Sequence, residues 1–298
     1  MAQFPDEHSD DGSFNRQEDA FRHEVEDDAV EAGRYHLYIC KACPWAHRSW
    51  IVLRLMGLEH AVGLSFADPI RDERGWAFRE GEGHGPDAAE GFEFLAEAYE
   101  ATDPSFKGRI TVPVLWDKKE RRIVNNSEDD LCRMWATSFR PLAEHPVDLF
   151  PPDLEQAQTA LSEKIYEHVN NGVYAAGFAT RQAAYEKAFE ALFATLDTLE
   201  ERLREGGPHL FGERLVEADW RLFCTLVRFD VVYHGHFKCN RRRIVDYPSL
   251  QAYLERLYHL PGIADTVNFD HIKRHYYVTH DDLNPAGIVP AGPALDWA

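Results

Sequence analysis

The chain has 298 residues and carries 51 acidic against 32 basic side chains, a formal charge of −19. That length allows one large domain or two ordinary ones with substantial cores. The charge argues against a nucleic-acid partner, because phosphate binding needs a basic face, and no run approaches the roughly 18 apolar residues of a membrane span.

The opening residues are acidic and lack the apolar core of a secretory leader, so no such leader is expected. Five cysteines at irregular spacing point to reduced thiols in a cytoplasm. Cys40 and Cys43 form one C-x-x-C, but no second pair completes a zinc site, and no metal is expected. Cys132, Cys224 and Cys239 fall in apolar or mixed runs and read as packing residues. Arginine far outnumbers lysine, a balance that suits a surface kept soluble in high salt as well as an ordinary acidic cytosolic protein.

Residues 1–33 are polar and charged, with Phe4, Phe14, Phe21 and Val25 as the apolar anchors of an arm too poor in apolar residues to fold alone. A first domain over residues 34–139 reads as a strand at 36–39, a helix ended by Gly57, strands at 61–66, 111–115 and 122–124, and a helix from Ser127. An insertion over residues 68–108 holds one short helix near 92–99; a loop that long in a compact domain is usually functional. A proline-rich linker spans 140–153. Residues 154–298 then show three- and four-residue apolar steps at 154–170, 182–203, 219–233 and 249–259, an all-helical half.

The chemistry centres on Cys43. Pro44 suits the first turn of a helix, where a missing N–H costs nothing, so Cys43 falls at the N-cap, facing unpaired amides and the positive end of the helix dipole. A cysteine so placed drops from about 8.5 to as low as roughly 3.5–7.5, and the thiolate is the nucleophile. Further on, Pro113 opens an apolar strand, a place where a cis bond brings backbone groups up to a ligand. Strand, cysteine-proline helix, then strand-proline is similar to the thioredoxin-like layout. Lys41 is a cation near the sulfur or plain surface, and His47 and Arg48 read mainly as helix flank. Cys40 has a smaller claim as a disulfide partner of Cys43.

With these residues in view, the chain resembles the glutathione transferase superfamily and, within it, the glutathionyl-hydroquinone reductases, the xi-class or omega-like transferases. The resemblance runs nearly end to end. It rests on Cys43-Pro44-Trp45-Ala46-His47, Asp72-Glu73-Arg74-Gly75-Trp76, Asn170-Asn171-Gly172-Val173-Tyr174, Gly235-His236-Phe237-Lys238-Cys239-Asn240 and His275-Tyr276-Tyr277.

The resemblance implies a thioredoxin-like N-terminal domain and an all-helical C-terminal domain. It also implies reductive removal of glutathione, or a related low-molecular-weight thiol, from glutathionyl-hydroquinones through a Cys43 mixed disulfide. Tyr174 and Tyr276 match the family's substrate-binding tyrosines, which donate to ring hydroxyl oxygens or simply hold the ring. Trp76, Val112, Pro113, Ser127 and Glu128 fall at thiol-binding positions. A homodimer is expected from the resemblance, with an aromatic thioether and a thiol as its small-molecule partners.

Two departures stand out. Relatives carry Glu-Ser where this chain has Ser127 and Glu128, and Asp129 and Asp130 follow, so three carboxylates crowd a helix N-terminus that should receive a ligand carboxylate. This reads either as acid-rich capping or as a site that disfavours glutathione through like charge. Val216 replaces a capping threonine ahead of Asp219, which should weaken that contact. Two other functions compete with the reductase: a general omega-like thiol transferase or dehydroascorbate reductase, and a non-catalytic transferase-fold binding module.

Overall fold

In the computed structural model, which describes residues 7–298, the chain divides into two compact units. Phe4, one of the anchors expected of the arm, and the first half of the acidic opening lie outside the described residues.

The first unit comprises Gln17–Asp148 and Thr266–His275. Its centre is β1 (Tyr35–Ile39), buried along its whole length. β1 pairs in parallel with β2 (Gly63–Phe66) and antiparallel with β3 (Val114–Asp117), which pairs antiparallel with β4 (Arg122–Asn125), giving the order β2-β1-β3-β4. A parallel pair needs a crossover, and α1 (Pro44–Leu55) supplies it, sinking Ala46, Trp50, Ile51 and Leu53 into the core. Gly57 closes α1 at φ +67°, a conformation that only glycine adopts without strain. The helix expected from Ser127 is α3 (Glu128–Ala136), which packs on α1. This is the thioredoxin-like unit.

Three boundaries moved for local reasons. β2 begins at Gly63, later than residue 61, because the Ala61 and Val62 amides turn back to the Leu58 carbonyl at 2.9 and 3.0 Å. β3 begins at Val114 because Pro113 has no N–H for a ladder; the Val112–Pro113 bond is cis, as its position suggested. In the insertion the helix is α2 (Ala96–Thr102), starting where the Glu97 carboxylate accepts the Glu93 and Phe94 amides at 2.8 and 2.9 Å. The insertion is not loose. Asp87 accepts the amides of Ala89, Glu90 and Phe92 and the hydroxyls of Tyr38 and Ser65, all at 2.9–3.1 Å, tying it to β1 and β2.

Among the described residues, the second unit comprises 7–16, Leu149–Asp265 and Tyr276–Ala298. It is helical: α4 (Glu155–Ile165), α5 (Gly172–Gly177), α6 (Gln182–Gly206), α7 (Glu217–Arg228) and α8 (Pro248–Tyr258). Every residue of α7 is buried, so it is the central helix. The periodic runs at 154–170 and 219–233 each end in a π turn, Tyr166–Asn170 and Phe229–Tyr233. Such wide turns often accompany functional positions, and these two carry Asn170 and Tyr233. α9 (Phe269–Thr279), which begins in the first unit's segment and ends in the second's, has no counterpart among the helices read from periodicity. No described helix is long and apolar enough to cross a membrane.

Asp219 keeps its structural role without a threonine partner. Its carboxylate accepts the Val216 amide at 2.9 Å, the Leu210 amide at 2.9 Å and the Tyr253 hydroxyl at 3.0 Å. The cap that Val216 was expected to weaken is therefore made through the backbone.

Candidate active site

In the thioredoxin-like unit Cys43 is the N-cap of α1, with Pro44 at the first helical position as its sequence required. Its sulfur is buried and donates to the Val112 carbonyl at 3.6 Å, so the cysteine-proline turn and the residue before Pro113 meet in space. The Cys43 amide donates to the Cys40 carbonyl at 3.0 Å. All five cysteines are buried and none is in a disulfide. Lys41 lies with its ammonium 4.5 Å from the Phe66 ring centroid, and burial pulls its pKa down.

Trp76 is buried, and its indole N–H has no hydrogen-bond partner among the described residues. A buried donor left unpaired costs about 1–3 kcal/mol, so the position is one a ligand acceptor would relieve. The indole stacks on the His275 imidazole at 5.2 Å and 22°, and the Arg71 guanidinium sits 5.5 Å from its ring. His275 is fixed in turn by a 2.7 Å bond from its ring nitrogen to the Pro69 carbonyl.

His47 and Arg48 are not helix flank; both are buried. The period of α1 turns them inward once α3 and the segment at Thr266 cover that face. His47 bonds through Nε2 to the Thr266 hydroxyl at 2.7 Å. The Arg48 guanidinium reaches the start of α3, 3.2 Å from Glu128 and also hydrogen-bonded to Asp129. Asp130 is held by Arg22 at 2.6 Å and by the Asn125 amide at 3.1 Å.

Each of the three carboxylates thus has a guanidinium beside it, and the crowding that argued for repulsion of a ligand carboxylate is largely neutralised. Burial still pushes the Glu128 carboxyl up, against the pull of Arg48, to about 7. Ser127 is the N-cap of α3 but does not cap it: its side chain makes no hydrogen bond to the helix. Ser127 is itself buried at this helix N-terminus, the end of a helix at which anions bind.

In the helical unit, Tyr174 on α5, Tyr276 on α9 and Tyr233 in the second π turn bring three hydroxyls together. Tyr174 and Tyr276 are 2.5 Å apart, oxygen to oxygen, and Tyr276 and Tyr233 are 2.9 Å apart. Burial pushes the Tyr276 and Tyr233 phenols well above their ordinary values, with the nearby Arg228 cation pulling the other way. Tyr233 and Tyr276 are therefore protonated at neutral pH.

Phe178 and Phe237 wall it, each with its ring centroid within 6.0 Å of that of Tyr174. Gly177 lets the Phe237 ring approach, because a Cβ there would come within 2.3 Å of it and force the ring to shift. Asn170 pins α5 from the preceding turn, donating to the Arg221 carbonyl at 2.9 Å and the Thr225 hydroxyl at 2.7 Å.

The family models described as glutathione S-transferase N-terminal domain and glutathione S-transferase C-terminal domain match residues 42–137 and 182–256. The chain is 47% identical over 284 residues to the glutathionyl-hydroquinone reductase PcpF of Sphingobium chlorophenolicum, covering 95% of this chain and 90% of that protein. The chain belongs to the glutathionyl-hydroquinone reductase family.

Among solved structures, the glutathione-bound form of YqjG, a glutathione transferase homolog from Escherichia coli K-12, matches with a TM-score of 0.88 at 47% identity, over 90% of this chain and 87% of that one. The xi-class transferase of Natrialba magadii matches with a TM-score of 0.91 at 47% identity, over 93% and 86% of the two chains.

The sequence of this glutathionyl-hydroquinone reductase had singled out Cys43, Trp76, Val112, Pro113, Ser127, Glu128, Tyr174 and Tyr276, and four residues beside them had been given no site role. Tyr233 lay in a helical run and looked like core. Arg48 looked like flank, because nothing in the sequence spacing ties it to the acids at 128–130. His275 was within a quoted motif and given no role. Arg71 carried no signal.

Proposed function

We propose that the chain is a glutathione-dependent reductase of glutathionyl-hydroquinones with Cys43 as its catalytic nucleophile. The α1 amides and dipole favour the thiolate. The thiolate attacks the sulfur of the conjugate; the sulfur–carbon bond breaks, and its electron pair stays on the ring carbon, which takes up a proton as the hydroquinone leaves. A second glutathione thiolate then attacks the glutathionyl sulfur of the mixed disulfide, releasing glutathione disulfide and the Cys43 thiolate.

Trp76, Val112, Pro113, Ser127 and Glu128 are the proposed thiol-binding residues, and Tyr174 and Tyr276 the proposed ring-binding ones. Tyr233 backs Tyr276, and the phenol cluster is the proposed proton donor, refilled from solvent. The observation that carries this reading is the hydrogen-bonded tyrosine trio. Disulfide exchange by a general omega-like thiol transferase needs no such group, and a binding module needs no nucleophile at a helix cap.

Glutathione is the proposed thiol. The pairing of Glu128 and Asp129 with Arg48, and of Asp130 with Arg22, removes most of the electrostatic objection to it, and the glutathione-bound YqjG structure supports it. A cytoplasmic homodimer completes the proposal.

The test is to incubate a menadiol–glutathione thioether with glutathione and follow menadiol and glutathione disulfide. Wild type should form both in equal amounts, and Cys43→Ser should retain less than about a tenth of the rate, because a serine hydroxyl is far too basic to replace a thiolate. Dehydroascorbate reduction that outpaces the thioether reaction would favour the general thiol transferase.

A further inference from the structure

The N-terminal segment that composition marked only as an arm ends in a built contact with the aromatic cluster. Residues His8 and Phe14 bridge antiparallel, the Ser9 amide donates to the Ser13 carbonyl at 3.0 Å, and the Gly12 amide donates to the Ser9 carbonyl at 2.9 Å. The Asp11 carboxylate accepts both the amide and the hydroxyl of Ser13. This small hairpin is clipped to the helical unit: the His8 ring nitrogen donates to the Phe178 carbonyl at 2.9 Å, the Thr180 amide donates to the Gly12 carbonyl at 3.1 Å, and the Phe14 ring lies 5.4 Å from that of Phe178.

Two residues past the hairpin, the Arg16 guanidinium carbon sits 4.7 Å from the centroid of the Tyr174 ring. Its Nε donates to the Asn171 side-chain oxygen at 3.1 Å. Asn171 is the N-cap of α5, three residues before Tyr174, so the start of one helix carries both the ring and the clamp that keeps the cation over it.

A guanidinium over an aromatic face is attracted by the ring quadrupole. The same cation draws electron density from the phenol and makes its O–H a stronger hydrogen-bond donor. Among the three clustered tyrosines, Tyr174 is the least buried, at 8% exposure against 1% for Tyr276 and none for Tyr233. It is also one end of the chain of phenols, since Tyr276 lies between it and Tyr233.

We propose that Arg16 is a positioning residue of the reductase reaction: stacked on Tyr174, it fixes that ring and strengthens its hydroxyl as a donor to the departing hydroquinone. The inference rests on the reductase reading above. It gives the N-terminal hairpin a function, which is to deliver Arg16.

The experiment uses the full chain with a menadiol–glutathione thioether and glutathione. Arg16→Met, which keeps the stem and removes the cation, should lower kcat by about tenfold while the Michaelis constant for the thioether changes by less than about threefold, since the interaction is stronger in the transition state. Arg16→Lys should keep at least about a third of wild-type kcat, because an ammonium also binds an aromatic face. Should the Met variant be unfolded, Arg16→Gln, which retains a donor for Asn171, should show the same loss. Alkylation of Cys43 by iodoacetamide should proceed equally in all forms. In a Tyr174→Phe background the Arg16→Met change should add less than about twofold, the non-additivity expected of a residue that acts through another.

A neutral variant within about twofold of wild type overturns the proposal, and so does an undiminished loss in the Tyr174→Phe background. Absence of thioether turnover in wild type itself would bring down the reductase reading, and the proposal with it.

Discussion

The chemistry assigned to Cys43 depends on one atom, and the neighbouring thiol is the natural control. Cys40 is buried at the end of β1 and offers the Cys43 amide its carbonyl, a backbone role that serine also fills. Cys40→Ser should keep most of the wild-type turnover of a hydroquinone thioether; a loss as severe as that of Cys43→Ser would make it a catalytic partner.

The tyrosines make a sharper case at this scale. Tyr174→Phe and Tyr276→Phe each delete one hydroxyl from a bonded pair. Turnover should fall roughly tenfold to a hundredfold, the scale of about 1.4–3 kcal/mol for a hydrogen bond felt in the transition state. Alkylation rates at Cys43 discriminate: if they fall in step with turnover, the tyrosines support the cysteine and not the substrate ring.

At the scale of the element, α3 is the informative helix. Three acids in its first turn suit the helix dipole, yet Glu128 is buried and needs a counter-charge. Arg48, one turn into α1, supplies it to both Glu128 and Asp129, so the helix that presents the nucleophile is locked to the helix proposed to hold the thiol. Removing one partner of a buried ion pair strands the other and costs about 3–5 kcal/mol. Because Asp129 is half exposed and water relieves it, the lower end applies. Arg48→Met should therefore lower the urea midpoint and raise the Michaelis constant for glutathione together. If stability falls while the glutathione constant stays at its wild-type value, the start of α3 does not bind the thiol.

Across the whole molecule, pH and salt report on charge. Burial pulls the His36 imidazole down to about 4, with Asp87 opposing it, and the His236 imidazole down to about 4 as well. An unfolded imidazole takes its proton near 6.5. Between pH 6.5 and 4 the unfolded chain therefore binds protons that the folded one refuses. The stabilisation these groups give is complete above about 6.5 and is lost as pH falls through 4, to a limit of about 3 kcal/mol for each. Urea titrations at pH 7 and 4.5 should show His36→Gln losing less stability on acidification than wild type; equal losses would mean that His36 is not desolvated. The charge of −19 acts in the opposite sense, since self-repulsion eases with screening. Melting temperature should rise from 0.1 to about 1 M potassium chloride, and a flat or falling curve would count against a surface suited to salt.

The sequence by itself determined the parts whose cause is local. Pro44 after Cys43 sets a helix cap whatever surrounds it, Gly57 ends that helix, and alternating or three-to-four spaced apolar residues declare β1, α6 and α8. The motif segments marked Cys43, Trp76, Tyr174 and Tyr276, because the residue types themselves carry the chemistry.

Which distant residues share a neighbourhood comes from the folded chain. No spacing rule links Arg48 to Glu128, Trp76 to His275 or Arg16 to Tyr174, and a long helical run does not reveal that its last turn widens to aim Tyr233 at Tyr276. Helix caps and turns are settled by hydrogen bonds within a few residues. Counter-ions, stacked rings and clustered hydroxyls are settled by burial, which leaves a polar group no partner except whatever the fold brings beside it.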